Sequence, residues 1–163
     1  MRSITTTLLA AAALLVAAPT VAAPTAGADA ANDRTVHVFE RMTSLEINGM
    51  TGSYTYTIHD DPNGPVIGNT VGYCTVFFKD PVSEDMYSYC DDTMTFHGGS
   101  LHTFGVIDMT TAYKGVPITL GVNGTGGSFA NRVGTRYWVA RAEASPDSRS
   151  QIYTATSEFT FVN

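Results

Sequence analysis

Short runs rich in β-branched and aromatic residues recur along the chain, separated by clusters of Gly, Pro, Asn and Asp. No segment beyond the N-terminal stretch keeps the 3.6-residue apolar period of an amphipathic helix. The pattern predicts eight strands: Thr35–Met42, Thr51–His59, Val66–Phe78, Met86–His97, Ser100–Met109, Val116–Val122, Gly134–Ala140 and Ile152–Val162. Turns are expected at Asn48-Gly49, Asp60 to Pro65, Gly98-Gly99, Tyr113 to Gly115, Asn123 to Gly127 and Ser145 to Asp147. No connection has room for a crossover helix, so the strands run antiparallel. Eight such strands can close into an eight-stranded antiparallel β-barrel, which removes exposed edges and leaves room for side chains plus one small ligand. A two-sheet sandwich fits the same pattern. Alternation puts Tyr54, Tyr56 and Ile58 on one face, and Ser53, Thr55 and Thr57 on the other. Tyr73, Thr75 and Phe77 share a face and meet Tyr87, Tyr89 and Asp91 across the next hairpin.

The first 30 residues read differently. Met1 and Arg2 precede a polar stretch, then the apolar run Leu8–Ala18, Pro19, and A-x-A patterns at Ala26-Gly27-Ala28 and Ala28-Asp29-Ala30. This is the layout of a secretory signal peptide, with the domain following from residue 31 to 163. The run is too short to span a bilayer, and no membrane anchor is expected. Secretion to an oxidising exterior gives meaning to the two cysteines, Cys74 and Cys90. Folding the flanking runs about Val82 sets Cys74 opposite Cys90, within disulfide reach.

Composition narrows the function. Charged residues are 15% of the chain and the net charge is −6, with no Lys/Arg cluster, so nucleic acid is excluded as a partner. Aromatics at 10% and a hydrophobic fraction of 44% exclude a disordered chain. His102 and Asp108 share strand parity but stand about 20 Å apart at about 3.3 Å per residue, and no metal-ligand spacing occurs elsewhere. The run Gly124-Thr125-Gly126-Gly127 lacks the Lys-Ser/Thr of a phosphate loop and reads as a hairpin turn. Ser100 has no nucleophile-elbow context.

Five segments, in order, resemble dirigent proteins: Ile58-His59-Asp60-Asp61-Pro62 with Gly64-Pro65, Val66-Ile67-Gly68 leading to Gly72-Tyr73, Gly98-Gly99-Ser100-Leu101, Val116–Leu120 leading to Gly124–Phe129, and Ile152–Phe159. Dirigent proteins and the related allene oxide cyclases share an eight-stranded antiparallel barrel, often trimeric. The Ala/Thr-rich leader and close cysteines look like exported bacterial members. The resemblance implies an apolar pocket that holds an unsaturated hydrophobic small molecule and steers its cyclisation or stereoselective coupling. It implies no cofactor. A separate oxidase would be the partner for coupling, and a homo-oligomer, dimer or trimer, is allowed. The acidic turn nominates Asp60 and Asp61 as catalytic carboxylates, with an Asx turn as the plain alternative. The Gly-rich strand nominates Arg132 or Arg136; the family pattern carries its Arg one residue before a Gly, where this chain has Val133. Tyr56, Tyr73, Phe77 and Tyr89 are the candidate pocket lining. A non-catalytic lipocalin-like binder or a surface interaction protein uses the same barrel.

Overall fold

The computed structural model describes residues 35–143 and 152–162. The leader expected over residues 1–30, its expected cleavage site and the turn expected at Ser145-Pro146-Asp147 lie outside the described residues. The strands are β1 (Thr35–Asn48), β2 (Thr51–His59), β3 (Val66–Lys79), β4 (Met86–Phe96), β5 (Gly99–Asp108), β6 (Ile118–Gly127), β7 (Val133–Glu143) and β8 (Ile152–Val162). Each pairs antiparallel with the next, and β8 returns to pair with β1, so the sheet is a closed barrel and not a sandwich. Closure pairs every strand with a neighbour on each side and leaves no edge strand. No helix among the described residues is long and apolar enough to cross a membrane.

Three local features depart from the sequence reading. Strand β1 runs on to Asn48, projecting its last residues past the barrel with exposed Leu45 and Ile47. A single helical turn, α1 (Met109–Ala112), follows β5, and the Asp108 carboxylate caps it by accepting from the Thr110 N–H at 2.9 Å. One turn is too short to leave a 3.6-residue signature. The glycine run at 124–127 belongs to β6, and the chain reverses over Ser128–Arg132 instead. Gly124 serves close approach there: a Cβ on it would stand 1.6 Å from the Phe129 carbonyl oxygen.

The lumen is built in three layers. The base is solid: Val36, Val38, Ile58, Met94, Phe96, Leu101, Val122, Phe129, Phe159 and Phe161 pack together. Phe96 stands 5.0 Å from Phe129 and 5.6 Å from Phe159 between ring centroids. Each such ring contributes about 1.5–3 kcal/mol by burial. A polar middle layer follows. Above it, Met42, Tyr54, Tyr56, Ile107, Leu120, Trp138 and the Cys74–Cys90 disulfide line the end that α1 partly covers. The two cysteines are directly opposite in the β3–β4 register, 4.1 Å apart at Cα.

Candidate active site

Three strands each turn one charged residue inward at the same level. Glu40 of β1, Asp92 of β4 and Arg136 of β7 are 0%, 4% and 2% exposed. The Arg136 guanidinium bridges the two acids, donating to Glu40 Oε1 at 2.5 Å and to Asp92 Oδ2 at 2.8 Å. Its Nε donates to Ser157 Oγ at 2.8 Å and its Nη1 also reaches Thr103 Oγ1 at 3.1 Å. Thr70 donates to Glu40, Thr103 to Asp92, and the Tyr54 hydroxyl makes a short bond to Asp92 Oδ1. Burial acts to lower the Arg136 pKa, but Glu40 and then Asp92 outweigh it, so the guanidinium ends above its ordinary value and stays charged. Gly72 on β3 makes the space, since a Cβ there would sit 2.1 Å from Asp92 Oδ1 and 2.7 Å from the Tyr54 ring.

Above this layer the lumen holds a cavity of about 10 Å³, enough for one water. Tyr54, Tyr56, Cys74, Asp92, Arg136 and Trp138 are among its walls, with Met109 and Tyr113 on the α1 side. Beyond those two residues opens an apolar recess of about 290 Å³ at the barrel mouth, lined by Leu45, Ile47, Met50, Val76, Met86 and Tyr153 among others. Tyr54, Cys74, Met109 and Tyr113 border both spaces. Tyr113 leans on Tyr153 at 4.2 Å and meets Trp138 edge-on at 5.9 Å between centroids. Three buried polar groups beside these spaces have no hydrogen-bond partner: Tyr56 Oη, Trp138 Nε1 and Ser88 Oγ. Burial is the main force raising the pKa of the Tyr54, Tyr56 and Tyr113 hydroxyls; Asp92 adds for Tyr54, Tyr113 and Glu40 for Tyr56, and Tyr153 for Tyr113.

The sequence-nominated residues divide by face. Arg136 and Tyr56 point into the lumen beside the cavity. Tyr73, Phe77 and Tyr89 stand on the outer wall, 48%, 59% and 42% exposed, because their partners in alternation, Gly72, Cys74, Ser88 and Cys90, take the inward positions. They do not line the lumen. Asp60 and Asp61 are exposed in the β2–β3 turn beside the solid base, at the end opposite the recess. Asp61 accepts from the Asn63 N–H at 2.9 Å in an Asx turn, and Asp60 lies 3.1 Å from His97. Arg132 precedes β7 at the same end, its guanidinium 3.9 Å from the Phe161 ring centroid. The residues nominated from the sequence leave out Glu40, Asp92 and Trp138. Their signal was parity: Glu40 falls in step with Val36, Val38 and Met42, and Asp92 with Cys90, Met94 and Phe96.

Solved structures of similar shape share this architecture. The Diels–Alderase AbmU from Streptomyces koyangensis superposes with a TM-score of 0.60 at 18% identity, over 83% of this chain and 68% of its own. A pyocyanin demethylase gives 0.57 at 19% identity, over 78% of this chain and 99% of its own. A pterocarpan synthase dirigent protein gives 0.56 at 16% identity, over 78% of this chain and 88% of its own. These identities speak for the fold alone. No curated protein is detectably similar to the chain by sequence. The allene oxide cyclase barrel like domain matches residues 31–153, which is most of the polypeptide, and with the closed eight-strand barrel it establishes that the chain belongs to that family.

Proposed function

We propose that the chain is an exported barrel that takes an unsaturated hydrophobic small molecule into its mouth and steers its cyclisation. The observation that carries this reading is the stacking of an apolar recess on a small cavity floored by a buried Glu40–Arg136–Asp92 layer. An apolar wall selects a folded conformer of a flexible substrate, which lowers the entropic part of the barrier. Fixed charges below it can stabilise charge that develops as bonds form, without solvent having to reorganise. The cavity is too small for the substrate as it stands. Met109 and Tyr113 belong to the β5–β6 connection, whose backbone is tied to β7 at Tyr113 and Lys114, so rotation of the two side chains alone would join the two spaces. Cyclisation needs no outside oxidant, whereas radical coupling would call on a separate oxidase. The N-terminal leader and a disulfide suited to an oxidising compartment support export.

Trp138 is the chain's single tryptophan and lies at the cavity, so it reports on binding. Titration with the neutral dye N-phenyl-1-naphthylamine should give saturable energy transfer from Trp138. Leu45→Glu and Met86→Glu, which place charge in the recess, should weaken it about tenfold or more. Saturable transfer that ignores both substitutions would overturn the assignment of the site. Mass spectrometry of compounds carried through purification then separates catalysis from carriage: a cyclised isomer of equal mass supports the cyclase, and an unaltered compound supports a binder.

A further inference from the structure

We infer that the molecule this barrel accepts carries a neutral oxygen acceptor of the carbonyl class, and that Trp138 Nε1–H and Tyr56 Oη–H hold that oxygen at the bottom of the site. This deepens the proposed function and rests on it. Both residues border the cavity and are more than nine-tenths buried, at 6% and 2% exposed; neither polar atom makes a hydrogen bond of normal geometry, and the Tyr56 hydroxyl has only the hydroxyl of Tyr113, on the α1 side, as its neighbour. A buried donor left unmade is costly, and natural interiors rarely tolerate one without a use. Two such donors on one cavity, above a middle layer in which the other hydroxyls and charges are bonded, mark where a ligand atom belongs.

The donors also dictate the chemistry of that atom. An indole N–H can only donate, so whatever meets Trp138 must accept. Burial keeps the Tyr56 hydroxyl protonated well past neutral pH, so it too can donate. A carbonyl oxygen has two lone-pair directions and can accept from both. A carboxylate would also accept, but the layer beneath sets two acidic side chains, Glu40 and Asp92, against one cation, Arg136. That balance, in a site of low dielectric, works against a second anion. Arg136 is already engaged by Glu40, Asp92, Ser157 and Thr103 and is not offered to a ligand. A neutral ketone, aldehyde, ester or lactone remains. Ser88, fully buried and unpartnered on the wall of the recess, leaves a further polar contact for an oxygen nearer the mouth. For an unsaturated carbonyl compound, two donors on the oxygen would draw electron density from the conjugated system, which is the polarisation a ring closure onto that system uses.

Three matched naphthalenes test this against the wild-type protein: 2-acetylnaphthalene, 2-ethylnaphthalene and 2-naphthoate, read by quenching of Trp138. The ketone should bind about tenfold more tightly than the hydrocarbon, the scale of one or two net hydrogen bonds, and more tightly than the carboxylate. Tyr56→Phe should remove most of the ketone's advantage and leave the hydrocarbon's affinity unchanged. That substitution deletes a hydroxyl with no hydrogen bond of normal geometry and keeps the ring, so folding is retained. Infrared difference spectra give an independent readout: the bound ketone's C=O stretch should move to lower frequency, and Tyr56→Phe should reverse part of the shift. Equal affinity of ketone and hydrocarbon would overturn the inference while leaving the pocket standing, and would assign the two donors to a bound water. Preference for the carboxylate, or a ketone preference untouched in Tyr56→Phe, would also overturn it. Failure of all three compounds to bind would overturn the pocket itself, and with it this inference.

Discussion

The buried ion layer allows a quantitative test through Arg136→Met. Methionine keeps most of the volume and removes the only cation facing Glu40 and Asp92 in that layer, which are 0% and 4% exposed. Solvent screening is therefore small, and stripping the partner from a buried ion pair costs about 3–5 kcal/mol. For a domain of this size roughly 3–5 °C of melting temperature accompanies each kcal/mol, so the expected loss is about 10–25 °C. Urea unfolding of both proteins at pH 7 is the assay. Lys79→Met is the control, because the Lys79–Glu84 pair is exposed at both ends and such a surface pair is worth about 1 kcal/mol or less. A deficit below about 1.5 kcal/mol for Arg136→Met, or one no larger than the control's, would refute the reasoning.

Two further outcomes follow from the same layer. Gly72→Ala drives a methyl group to 2.1 Å from Asp92 Oδ1 and 2.7 Å from the Tyr54 ring, so it should lower unfolding stability by about 1–3 kcal/mol in urea melts. Burial raises the hydroxyl pKa of Tyr54, Tyr56 and Tyr113, so these rings contribute their full stability below the unfolded tyrosine value near about pH 10 and lose it as pH climbs through the folded values. Alkaline spectrophotometric titration should therefore show these three ionising together with loss of the barrel's circular dichroism, and phenolate from them in a folded barrel would contradict it.

The strand positions were legible because turn residues and β-branched runs mark them locally. The disulfide was legible because a single hairpin fixes its register. What escaped was everything that depends on which face is inside. In a closed barrel the outer wall also carries β-favouring aromatics, so Tyr73, Tyr89 and Phe77 looked as fit for a pocket as Tyr54 and Tyr56 do. Only closure decides, by setting Gly72, Cys74 and Cys90 inward. The charged layer was hidden for a related reason. Glu40, Asp92 and Arg136 come from strands far apart in sequence; Arg136 was nominated through a motif, while Glu40 and Asp92 each read locally as one more polar position. Yet each interrupts an otherwise apolar parity, and a lone charge in step with buried neighbours is the pattern that could have singled them out. Asp60, Asp61 and Arg132 were drawn from a motif, and the barrel puts all three beside its phenylalanine-filled end.

Stability does not require an ion layer at that height. Apolar residues of similar volume in place of a buried ion cluster are often neutral or stabilising, and the base of this same lumen shows that the barrel can be filled with phenylalanine. The layer instead separates the phenylalanine-filled base from the second apolar cluster, toward the mouth. It fixes Tyr54 through Asp92 and positions Arg136 beneath Trp138, with the guanidinium 5.7 Å from the ring centroid. Tyr56 and Trp138 are thereby left at the small cavity above the layer, their polar atoms without a hydrogen bond of normal geometry. A barrel selected only for rigidity would have closed that gap with one more methyl group. One selected to hold a polar atom of a greasy molecule would leave it open, lined by donors and reached past two movable side chains on a connection outside the sheet.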